Sequence, residues 1–322
     1  MIAVILGLFV LWMSPAASAA PRFDVYFLAV GSSTYVVPSS PTLHGFTRIP
    51  GAAKSAHLVG DRLLAGGARY GVVLTSPPDA FISLKNVDAA LDRVARQISG
   101  DRPSTPLLVF YFAGHGMAEG VGWNHFSIPG DLVYTGDPAR LDVEALTNYT
   151  LHAATLADRL DKLHIPYLVI LDSCSEGEPA RFDSPVLTAQ ASRSLSAVAD
   201  VLRAINEFRQ ESPVIFSTAP GTVVQVVQDP TDPEGTLIAP LARRLLLLLD
   251  RSTRSGRAAS LGDVVRGLVS ASLDPMTKPA VSHATPCPSW DGVLFQPGDA
   301  GGRSEEIAGD AKTASVCCGK KP

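Results

Sequence analysis

The chain is poor in cysteine, has no excess of either charge, carries no internal repeat and lacks a second long apolar run. Its 322 residues include four cysteines: Cys174, Cys287, Cys317 and Cys318. So few cannot form the disulfide framework of a stapled scaffold. Cys317 and Cys318 are adjacent and have no histidine nearby, so zinc-ligand spacing is missing. No Cys-x-x-Cys occurs, which removes disulfide exchange. The net charge of -4 gives no sign of the concentrated basic face that a nucleic acid would need. Past the N-terminus, the leucine run Leu245 to Leu249 is far too short to span a bilayer.

The N-terminus is the exception. Ile2 to Met13 form an apolar stretch, followed by Ser-Pro and the small-x-small pattern Ala17-Ser18-Ala19. Residues 1–20 therefore read as an export signal, although no Lys or Arg precedes the apolar stretch. An uncleaved anchor or a buried first strand is the alternative. Export would place the mature chain in a secreted or periplasmic, oxidising setting, with no membrane span once the signal is gone.

A hydrophobic content of 46% with 18% charged residues suits a globular chain with a sizeable core. Short apolar runs at Phe23 to Val30, Tyr70 to Leu74, Pro106 to Ala113, Ile165 to Leu171 and Pro213 to Phe216 are bounded by turn residues, as buried parallel strands are. Between them, Gly51 to Leu64 and Leu84 to Ile98 keep a helical rhythm of apolar positions. Further helices are expected at Thr155 to Leu163, with Thr155 and Asp158 as a capping pair, and at Ser192 to Phe208, Leu237 to Leu249 and Ser260 to Ala271. A strand is expected at His125 to Ile128, and Trp290 to Phe295 reads as the last one. Alternating strands and helices predict one α/β domain with a mostly parallel sheet over residues 22–296. Residues 297–322, rich in Gly, Ala, Ser, Lys and Glu, are expected to be a disordered tail.

Two of these runs end in reactive residues. Pro106 to Gly116 delivers His115 between Gly114 and Gly116, and Ile165 to Gly177 delivers Cys174. The carboxyl ends of strands are where open α/β sheets place their chemistry. A cysteine attacks as thiolate and needs a base beside it, and a neutral histidine supplies one. The glycines are expected to let the chain turn sharply beside His115, freeing the Gly116 N–H. With the Cys174 N–H it would form an oxyanion hole. A lone histidine is more often a satisfied core or surface group, and His44, His57, His125, His152, His164 and His283 are read that way.

Phe110-Tyr-Phe-Ala-Gly-His-Gly116 and Leu171-Asp-Ser-Cys-Ser-Glu-Gly177 resemble the His-Gly and Asp-x-Cys-x-x-Gly motifs of caspase-like cysteine peptidases, the metacaspase branch in particular. The separation, 174 − 115 = 59 residues, fits the histidine-upstream order of that family. The similarity extends over roughly Phe23 to Phe295. It implies a caspase-like three-layer α/β/α sandwich, protein or peptide substrates, Cys174 as nucleophile, His115 as general base and acid, and Gly116 with Cys174 as oxyanion donors. Asp172, two residues before the cysteine, would share its face of the strand and select Arg or Lys at P1 by charge. The other reading of Asp172 is a turn cap or a loop hydrogen bond. Ser55, after Lys54, stands where metacaspases carry a second acid, which weakens the acidic pocket and leaves a catalytically silent binding or regulatory module as the alternative function. Calcium activation, known in parts of the family, needs an acidic cluster. Asp131, Asp137, Asp142 and Asp183 are scattered without ligand spacing, so no cofactor or metal is expected.

Overall fold

The computed structural model describes residues 21–40, 42–118, 125–135, 148–173, 212–217, 226–228, 235–269, 280–281, 288–298 and 301–309. In chain order its strands and helices begin β1 (Asp24–Gly31), β2 (Leu43–His44), α1 (Ala52–Ala65), β3 (Tyr70–Thr75), α2 (Leu84–Asp101), β4 (Pro106–Ala118), β5 (His125–Ile128) and β6 (Tyr134–Thr135). They continue with β7 (Leu151–His152), α3 (Ala153–Asp161), β8 (Tyr167–Ser173), β9 (Val214–Phe216), β10 (Val227–Gln228), β11 (Leu237–Ile238) and α4 (Pro240–Ser255). The last are β12 (Ala259–Ser260), α5 (Leu261–Val269), β13 (Ala280–Val281), β14 (Val293–Phe295) and β15 (Arg303–Ala308).

The apolar runs pair into one central sheet in the order β13-β9-β8-β4-β1-β3-β15. Every pairing along it is parallel except that of the edge strand β13 with β9. Side chains alternate across the sheet, so an unbroken apolar run feeds two cores at once. Val25, Phe27, Ala29, Val109, Tyr111 and Ile170 face α1, α4 and α5. Tyr26, Leu28, Val30, Phe110, Phe112, Val169 and Leu171 face α2 and α3. The result is the expected α/β/α sandwich. Among the described residues no helix is long and apolar enough to cross a membrane.

Local signals account for the helix ends. Ser83 caps α2 in a reciprocal capping box with Asn86. In contrast, α3 starts two residues before Thr155, with His152 at its cap position and no side-chain cap. Thr155 is thus inside the helix, and Asp158 pairs with Lys162 at 2.7 Å. The Leu237–Leu249 stretch divides at Pro240, which ends β11 and opens α4 in the first-turn position that proline favours. Trp290 sits in a short 3-10 turn (Pro288–Asp291), and β14 pairs with β12 outside the central sheet. The helix expected at Ser192 to Phe208 lies outside the described residues.

The expectation of disorder after residue 296 is corrected for part of the tail. Arg303–Ala308 is β15, the parallel edge strand beside β3, in register from Arg303 opposite Tyr70 to Ala308 opposite Thr75. Composition missed it because an edge strand gains its ladder from its neighbour and needs little apolar surface of its own. Its side chains alternate between exposed and half-buried, Ile307 packs on the second core, and Glu305 pairs with Arg93 of α2. Charged residues on an open edge also discourage pairing with another chain. Residues 310–322 lie outside the described residues.

The β1–β3 pair places Gly71 opposite Phe27, whose ring covers it. A Cβ built at Gly71 would come within 2.1 Å of that ring. Gly71→Ala is therefore expected to destabilise the fold by about 1–3 kcal/mol through overpacking. A urea titration should show a lower midpoint at an unchanged slope, and a wild-type midpoint would refute the account.

Candidate active site

The sheet brings the two motif-bearing strands side by side. β4 and β8 pair in parallel from Leu108 opposite Tyr167 to Gly114 opposite Ser173. His115 and Cys174 are the next residues in sequence after that last pair. Cys174 lies outside the described residues, which end one position earlier at Ser173.

The expected sharp turn at His115 is replaced by continued strand. β4 runs through Gly114, His115 and Gly116 to Ala118, exchanging its parallel partners for antiparallel β5, with His115 opposite Ile128 and Gly116 opposite Ser127. Neither flanking glycine has a left-handed backbone. Gly114 is explained by close approach, since a Cβ there would lie 2.9 Å from the Tyr35 hydroxyl and 3.0 Å from the Phe112 ring. That hydroxyl accepts the His115 N–H at 2.7 Å and donates to the Ser32 carbonyl at 3.0 Å.

The His115 ring is fixed from several sides. It meets Tyr35 edge-on at a centroid distance of 4.8 Å and Phe46 at 5.2 Å. Its Nε2 lies 2.8 Å from the Thr47 carbonyl oxygen. A carbonyl only accepts, so this contact places the proton on Nε2 and leaves the Nδ1 lone pair as the basic site. The loop bearing Thr47 is tethered nearby, with the Ile49 N–H donating to the Ser33 carbonyl at 3.1 Å and the Ala53 N–H to the Ser33 hydroxyl at 2.9 Å. Burial lowers the His115 pKa and outweighs the raising effect of the Thr47 carbonyl, which keeps the imidazole neutral at neutral pH. Sequence reasoning missed Tyr35 and Thr47. A backbone carbonyl leaves no residue-type signal, and Tyr35 stands 80 residues from His115.

Asp172 is engaged inside the fold. It is 2% exposed, and its carboxylate turns into the layer between the sheet and α4. Oδ2 accepts the Ala242 N–H at 2.8 Å and the Tyr111 hydroxyl at 3.2 Å. The first turn of α4 has no side-chain cap from Ala239, and a helix start leaves N–H groups unpartnered. Asp172 serves one of them. Ser55 serves another: its hydroxyl accepts the Ala239 N–H at 2.9 Å and donates to the Gly51 carbonyl at 2.7 Å. Ser55 is also fully buried and within reach of the Tyr111 phenol. The fold thus gathers Ser55, Tyr111 and Asp172 at one helix N-terminus, where the cap reading of Asp172 accounts for its contacts.

Burial is the main cause of an Asp172 pKa raised to about 7, opposed by the helix N–H groups, Tyr111 and Arg244. Tyr111 is raised as well, first by burial and then by the adjacent Asp172. Behind Ser173 lies a second buried polar group. His125, assigned from sequence to the inert class, is 1% exposed, with Nε2 at 2.8 Å from the Ser173 hydroxyl. Burial holds its pKa down at about 3, and that of the neighbouring His152 at about 4. Among the described residues no group of three or more His, Cys, Asp or Glu could hold a metal ion. Asp131 is described, and Asp137, Asp142 and Asp183 lie outside the described residues.

The Asp172 shift has a testable sign. An unfolded aspartate titrates near ~3.9, so between pH 4 and about 7 the folded protein binds the extra proton. The contribution of Asp172 to stability is therefore lost as pH rises through that window. Asp172→Asn, which stays neutral, should gain stability relative to wild type between pH 4.5 and 8 in urea titrations. Parallel pH profiles for the two proteins would overturn the assignment.

The model of the caspase domain, peptidase family C14, matches residues 60–247, more than half of the chain. His115, Asp172 and Cys174 fall inside the match, while Ser55 precedes it. No curated protein matches the chain at a significant level.

Proposed function

The chain belongs to the caspase-domain peptidase family, and on that premise we propose that it is an exported cysteine endopeptidase acting through Cys174 and His115. The carrying observation is the placement of His115: neutral, with Nε2 committed to the Thr47 carbonyl, and one position beyond the register pair of Gly114 with Ser173. In this reading Nδ1 takes the thiol proton as the Cys174 sulfur bonds to the scissile carbonyl carbon. The proton then passes to the leaving amine as the peptide bond breaks. Water, deprotonated by the same imidazole, hydrolyses the acyl-enzyme and restores the thiol. The Cys174 N–H receives the oxyanion in both halves; Gly116, whose N–H the expected turn would free, instead continues β4 opposite Ser127.

A preference for Arg or Lys at P1 would rest on Asp172 alone, because Ser55 supplies no charge. The carboxylate is engaged by Ala242 and Tyr111 and titrates near 7, so any such preference should strengthen as pH rises above that value. Residues 1–20 would direct export and then be removed, leaving a mature chain of metacaspase type that acts on proteins or peptides outside the cytoplasm.

Peptide-library cleavage by the mature chain tests this reading. Cys174→Ala should fall to background, and His115→Ala should lose about 10²–10⁴-fold in kcat/KM. Undiminished cleavage by either variant would sink the assigned roles. Failure of thiol-directed peptide probes to label Cys174 in the folded chain would instead favour the silent binding module.

A further inference from the structure

Ser217 lies just past β9, 44 residues from Ser173 in sequence, and is 1% exposed. Its hydroxyl donates to the Ser173 carbonyl at 2.9 Å, and its N–H donates to the Leu171 carbonyl at 3.0 Å. The Ser173 side chain is held separately, with His125 Nε2 at 2.8 Å and the Ser127 hydroxyl at 3.5 Å from its Oγ. Ser173 is thus gripped at its carbonyl from β9 and at its side chain from β5. A hydroxyl at Ser217 is spent on a backbone carbonyl that the β8–β9 ladder has run out of residues to serve, since the paired register ends at Leu171 opposite Phe216.

We infer that Ser217 is a positioning residue: by fixing the Ser173 carbonyl it aims the N–H of the same peptide group, which is the oxyanion donor preceding the nucleophilic side chain. A trans peptide is planar, with its C=O and the following N–H opposed, so holding one sets the direction of the other. Donation into the carbonyl also polarises the peptide and strengthens its N–H as a donor. The inference rests on Cys174 being the nucleophile. The Ser217 hydroxyl is committed to the Ser173 carbonyl, and its role is exercised through that peptide group.

The experiment separates oxyanion binding from thiol reactivity. A peptide aldehyde adds the thiol sulfur to its carbonyl carbon, and the thiol proton ends on the oxygen held by the donors, with nothing released. Iodoacetamide alkylation transfers carbon to sulfur with loss of iodide and forms no oxyanion. Ser217→Ala should lose roughly 10–100-fold in kcat, as for a slightly misplaced catalytic group, with KM little changed, and should weaken aldehyde inhibition by a similar factor. Its iodoacetamide rate should stay at the wild-type value, and Ser217→Thr, which keeps the hydroxyl, should restore both lost quantities. If the alanine variant does not fold, Ser217→Cys, close in volume and a weak donor, is measured in its place. Wild-type kcat and aldehyde affinity in the folded variant would overturn the inference, as would an equal loss in aldehyde binding and alkylation. A wild-type enzyme that neither cleaves peptides nor alkylates at Cys174 would instead remove the parent reading.

Discussion

The arrangement depends on the parallel register of β4 with β8. Because side chains alternate, a slip of one residue would exchange the faces of β8, sending Leu171 toward α4 and Asp172 toward α2 and α3. The register is specified from both sides. Tyr111 and Ile170 fill one core while Phe110, Phe112, Val169 and Leu171 fill the other. Where the pairing stops, at Gly114 with Ser173, each strand is passed to other partners: β4 to β5, and Ser173 to Ser217 and His125. The reactive positions thus follow directly on the most strongly specified part of the sheet.

The second constraint is the start of α4. A helix entering next to the central strands brings unpartnered N–H groups into a dry layer, where an unmet donor is costly. Ser55 from α1 and Asp172 from β8 meet two of them, tying α1, the sheet and α4 together at one point. The same two positions are where a specificity pocket for basic residues would carry its acids. Helix capping occupies the Asp172 carboxylate, and burial biases it toward the neutral form.

Around His115 the described residues supply short polar contacts and aromatic walls. A backbone carbonyl fixes the tautomer, Tyr35 holds the main chain, and Tyr35 and Phe46 limit the ring. A neutral orienting group leaves the imidazole pKa governed mainly by burial, which lowers it.

The sequence by itself determined the layers and the two strands that matter. Apolar runs without a polar face can only be buried on both sides, and the helical rhythm of α1 and α2 leaves one apolar stripe for each to bury. His115 and Cys174 stood out because reactive residues between small ones follow such runs. Tertiary structure decided what local pattern could not encode. Period-two alternation put Asp172 on a definite face, but only the packing of α4 over that face made it a cap. Thr47 acts through a carbonyl that every residue possesses, and Ser217 meets Ser173 only because β9 lies beside β8. Arg303–Ala308 is polar enough to read as tail, yet the open edge of β3 supplied the ladder that its own composition could not.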